Sequence, residues 1–101
     1  GAAITYMMGG DLTQIKDTID NTLAIIPGII CDGAKASCAA KIATAVESGL
    51  MGYYMCKNKK NFCSEDGIIG VGIEKTIKNV GKLASQGMRE TDKVIIDIMT
   101  E

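Results

Sequence analysis

From Ala34 to about Lys57 the chain reads as one uninterrupted helix in which Ala34, Ala36, Ala39, Ala40, Ala43, Ala45, Gly49 and Gly52 are spread around the cylinder. Small residues on several faces let neighbours approach from several sides, whereas an exposed helix would carry long charged side chains around much of its circumference. The pattern predicts a central helix, and the rest of the chain must pack around it. Ser37, Lys41, Thr44 and Ser48 form a thin polar strip at helical spacing, suited to face water or a lined cavity.

The flanking segments are helical too. In "DLTQIKDTIDNTLAII", residues 11 to 26, Leu12, Ile15, Ile19, Leu23 and Ile26 line one face; Asp11 with Gln14 forms a capping box, and Pro27-Gly28 ends the helix. The preceding "AAITYMMG" reads as the tail of another helix with Gly9-Gly10 as its C-terminal turn. Residues 57 to 72 pass from a basic cluster to an acidic pair to a glycine-rich stretch and read as a surface loop. A fourth amphipathic helix follows through Ile73, Ile77, Val80 and Leu83, ended by Gly87. Residues 91 to 100 are rich in β-branched side chains, yet Thr91 or Asp92 as a cap and the helical surroundings favour a last short helix. The expected fold class is all-α, with four to five helices around the small-residue helix.

Composition narrows the chemistry. At 101 residues, 47% hydrophobic and 23% charged, the chain is at most one small globular domain. A formal net charge of -1 and 4% aromatic residues offer no basic field and few stacking platforms for nucleic acid. No apolar stretch reaches the length of a membrane span. With no histidine, Cys-His and Ser-His-Asp nucleophile systems and His-containing zinc sites are excluded from these residues. The apolar opening "GAAITYMM" reads as a segment of something longer that docks on preceding sequence.

Four cysteines stand at positions 31, 38, 56 and 63. The spacing matches neither a Cys-x-x-Cys redox site nor a zinc knuckle, and the abundance of core-forming residues favours reduced thiols in the cytoplasm over a disulfide framework. Cys31 follows the break at Pro27-Gly28, where a helix is about to begin, and backbone amides at a helix start favour a thiolate. The competing reading is a buried structural thiol.

The stretch "GIICDGAKASCAAKIATAV", with "GAAITYMMGG" upstream and "GIEKTIKNVGKLASQGMRETDKVIIDIM" downstream, resembles the C-terminal part of the iron-sulfur L-serine dehydratase α-chain and L-cysteine desulfidase family. Residues Gly28 to Lys41 follow the family pattern with mild substitutions at Ile29 and Ala40, and the likeness covers residues 1 to 101 as one segment. It departs at Val71 and Gly72, where the family usually has acidic residues, and in ending Ile98-Met99-Thr100-Glu101, without the terminal cysteine by which some members occupy the open iron.

The resemblance implies a helical catalytic domain holding a 4Fe-4S cluster through three cysteines, with one iron open to the leaving group of L-serine or L-cysteine. The implied activity is a carbon-oxygen or carbon-sulfur lyase reaction giving pyruvate, ammonia and water or hydrogen sulfide. The segment alone is expected to be inactive, to pair with its missing N-terminal part, and to form a homo-oligomer. Cys31 is the leading metal-ligand candidate; Cys38, inside the helix, packs as readily as alanine and ranks second. Asp32 is read first as a helix cap and Lys35 first as a surface charge, each with a subsidiary role near the substrate. Cys56 and Cys63 flank the basic loop and are expected to take no part. A rival reading is a non-catalytic helical module that binds a partner chain through its small-residue helix.

Overall fold

The computed structural model describes residues 1–101. It contains α1 (Ala2–Met7), α2 (Leu12–Ile25), α3 (Ser37–Lys57), α4 (Ile73–Lys82) running into a π-helical turn (Leu83–Gly87), and α5 (Arg89–Thr100), with no strand. The all-α expectation holds.

Local chemistry sets the ends of these helices. The Asp11 carboxylate accepts the Gln14 amide and the Gln14 carboxamide accepts the Asp11 amide, both at 2.9 Å, so the capping box is complete. At the end of α1, Gly9 turns left-handed at φ +87° and the Gly10 amide donates to the Thr5 carbonyl, the closing turn expected of Gly9-Gly10. The end of α3 repeats this motif with Lys59, at φ +56°, where glycine would be usual, and with the Lys60 amide donating to the Met55 carbonyl. The last helix begins at Arg89, earlier than a cap at Thr91 or Asp92 would have it, because the π-turn carries helical backbone almost unbroken from α4.

Packing departs furthest from the periodicity. The α2–α3 pair forms the heart of the structure, with α1 across both and α4 against α2. Gly52 permits the closest approach: a Cβ there would lie 2.5 Å from the Thr22 hydroxyl and 3.0 Å from the Thr18 carbonyl oxygen. The fully buried side chains are Thr18, Asn21 and Thr76, and Tyr53, Cys56 and Ile69 are the buried apolar residues. The three fully buried polar side chains are all answered, whereas the Asp20 Oδ1 oxygen is buried without a partner. Thr18 shares a 2.8 Å hydrogen bond with Thr5, Asn21 holds Asn61 and the Phe62 amide, and Thr76 accepts the Gly70 amide at 3.0 Å.

The expected central role of α3 is met on one side only. Ile42, Val46, Leu50 and Tyr54, spaced at four residues, form an exposed apolar stripe. The extents of 49 × 28 × 16 Å describe a flat, elongated slab in which this face of α3 has no helix over it. Its radius of gyration, 15.3 Å, exceeds the about 13 Å of a compact chain this long.

Candidate functional site

Between α2 and α3 the chain crosses residues 26–36 without helix. This stretch folds back along the start of α3, and Ile26, Ile29, Ile42 and Ala45 wall an open groove of about 360 Å³ that also takes in Cys31, Cys38 and Lys41. The two leading thiol candidates therefore share one concavity. A second cavity, of about 180 Å³, is lined by Thr5, Gln14, Tyr53 and Cys56 at the other end of α3 and brings no second thiol to Cys56.

The structure corrects the local setting of Cys31. The helix begins at Ser37, not Ala34, so Cys31 lies well ahead of it and does not sit on its N-terminus. The turn itself supplies the amides. Gly33 at φ +105° and Ala34 at φ +53° both adopt left-handed backbone, a conformation that costs a non-glycine residue such as Ala34 about 1 kcal/mol. The amides of Gly33 and then Ala34, helped by the Lys41 charge, hold the exposed Cys31 thiol below the ordinary thiol pKa, against some desolvation and the charge of Asp32. Cys38 lies in the first turn of α3, half-buried, its amide bonded to the Lys35 carbonyl at 2.9 Å.

Asp32 is not a helix cap. The N-cap of α3 is Ala36, with no side-chain cap, and the Asp32 carboxylate instead accepts Lys41 Nζ at 2.5 Å and Ser37 Oγ at 3.3 Å. Bonding to Lys41 lowers the Asp32 pKa, and bonding to Asp32 raises that of Lys41. Lys35 is exposed and enters neither of the two ion pairs in the structure, so it stays outside the groove. Lys41 is the functional candidate that sequence reasoning passed over. The signal was present in the polar strip, where Ser37 and Lys41 stand one turn apart on the face that Asp32 meets.

The other two cysteines lie elsewhere. Cys56 is buried and donates to the Gln14 carbonyl across the α2–α3 contact at 3.5 Å, and Cys63 is exposed in a turn where its amide donates to Asp66 at 2.7 Å. No three Cys, Asp or Glu side chains gather in metal-binding geometry. As a donor set, the groove fits a soft iron-sulfur cluster in part: it offers two thiols, amides beside one of them and a cation, and so requires further ligands from outside the groove.

The chain is similar along its whole length to known bacterial proteins. UPF0597 proteins of Desulfitobacterium hafniense and Finegoldia magna are 54% identical over 99 residues and 52% identical over 101 residues, covering 98% and 100% of this chain. A UPF0597 protein of Bacteroides fragilis is 41% identical over 97 residues, 96% of this chain. The chain spans about a quarter of these relatives, 23%, 24% and 23% of their lengths. No solved structure matches it significantly. The family described as serine dehydratase alpha chain matches residues 1–97, the Cys31–Lys41 groove included, and the chain belongs to that family.

Proposed function

We propose that this segment contributes Cys31 and Cys38 as thiolate ligands of a 4Fe-4S cluster in an enzyme that eliminates water or hydrogen sulfide from L-serine or L-cysteine, giving pyruvate and ammonia. The convergence of the two thiols on one groove is the observation that carries the reading, and membership of the serine dehydratase alpha chain family supports it. When bound, the cluster would act as a Lewis acid toward the departing hydroxyl or thiol. The chain's own residues prepare the place. The amides of Gly33 and Ala34 favour the thiolate of Cys31, the start of α3 fixes Cys38, and Ile26, Ile29 and Ile42 keep the groove largely apolar, which strengthens charge interactions within it.

The exposed stripe Ile42–Val46–Leu50–Tyr54 supports a further part of the reading, that this segment packs on the rest of a chain as long as its relatives and that the assembled protein is a homo-oligomer. Four free cysteines suit the reducing cytoplasm, and no helix is long and apolar enough to cross a membrane. The same stripe favours the second reading, a non-catalytic helical interaction module.

Serine substitution in the intact protein, reconstituted without oxygen, separates the two. Cys31→Ser keeps size while replacing a soft thiolate with a hydroxyl, so iron-sulfur absorbance and pyruvate formation are expected to be lost. Cys38→Ser is expected to lower both, and Cys56→Ser and Cys63→Ser to leave both near wild type. Full iron and sulfide content with undiminished activity in Cys31→Ser would overturn the assignment.

A further inference from the structure

The groove holds one cationic side chain, Lys41, and the structure places it where a passive surface lysine would not be. It stands one turn beyond Cys38 on the same face of α3, lines the groove together with both thiols, and its Nζ is 2.5 Å from Asp32 Oδ1 in the residue after Cys31. The Lys41 side chain is 26% exposed against 53% for Asp32, so the lysine is the more enclosed partner of the pair. As a surface ion pair alone this contact would add little to stability. Its position gives it a larger task.

We propose that Lys41 is the positioning residue of the thiol pair: tethered by Asp32, it pins the Cys31 turn to α3 and presents the groove's single positive charge to a cluster held between Cys31 and Cys38. This rests on the cluster reading above. A cluster bound by thiolates is anionic and becomes more so on reduction, so a cation fixed beside it in a mostly apolar groove favours the reduced state and raises the reduction potential. Asp32, paired with the lysine and of opposite charge, acts in the opposite sense.

The test uses the intact protein reconstituted with iron and sulfide under anaerobic conditions, reading iron and sulfide content and the cluster midpoint potential by electron paramagnetic resonance titration. Lys41→Met is expected to shift the potential down, Lys41→Arg to leave it near wild type, and Asp32→Asn to shift it up. Shifts of opposite sign follow from charge, whereas loosened packing would move both variants the same way. Equal potentials in wild type, Lys41→Met and Asp32→Asn, or shifts of one sign, would overturn the role of Lys41 while leaving the cluster standing. If Lys41→Met takes up no iron, Lys41→Arg and Asp32→Asn decide: a loaded Arg variant and an upward shift in the Asn variant support the proposal, and any other pair of results overturns it. A wild-type protein that takes up no cluster removes both this role and the function on which it rests.

Discussion

The Phe62 amide donates a 2.9 Å hydrogen bond to the carboxamide oxygen of Asn21, tying the segment after α3 to the middle of α2 across a sequence distance of 41 residues. Asn21 is fully buried, and its Nδ2 reaches Asn61 Oδ1 at 2.9 Å and the Gly52 carbonyl at 3.2 Å. One amide side chain thus holds the α2–α3 contact and starts the long loop. Asn21→Ala would strand the Phe62 amide, so a loss of about 1–3 kcal/mol is expected. Urea denaturation checks it, and a midpoint equal to wild type would show that the loop is held by other contacts.

Lys59 occupies the left-handed position that closes α3, where a side chain is strained by about 1–2 kcal/mol relative to glycine. Lys59→Gly relieves that strain but adds flexibility to the unfolded chain. A net gain of about 0.5–1 kcal/mol is expected, seen as a higher midpoint of thermal unfolding. No gain would mean that the left-handed turn is not kept in solution.

Asp17 has its pKa raised above the ordinary 3.8, first by desolvation and then by the charges of Asp20 and Asp11. The folded state binds this proton more tightly than the unfolded state, so the ionised carboxylate destabilises the fold at neutral pH. That penalty falls away as pH drops through the raised value and is gone below 3.8. Asp17→Asn is therefore expected to be more stable than wild type at pH 7 and to lose its advantage as the solution approaches pH 4. Denaturation curves across this range check the sign; a variant less stable at pH 7 would show that the 3.4 Å hydrogen bond donated by Asn61 Nδ2 to Asp17 outweighs the repulsion.

The helices were legible because their determinants are local. The Asp11–Gln14 box, the Gly9-Gly10 turn and the periodicity of α2 and α4 each operate within about one turn of chain, and the all-α class follows from them. Local signals also misled. Ala34 has high helix propensity, yet it sits in a left-handed turn next to the Asp32–Lys41 pair, and the helix starts only at Ser37.

By itself, the sequence determined which segments are helical, where most of them stop, and the family to which residues 1–97 belong. Tertiary structure decided which faces are covered and which side chains meet. Thr18 and Asn21, ordinary polar positions on α2, become fully buried because Gly52 lets α3 close over them and because Thr5, Asn61 and Phe62 answer their hydrogen bonds. Cys31, Cys38 and Lys41 come to share a groove because the crossing from α2 folds back on α3. Periodicity records how a residue lies on its own helix, whereas burial and pairing depend on atoms brought from other parts of the chain, and no local pattern carries that information.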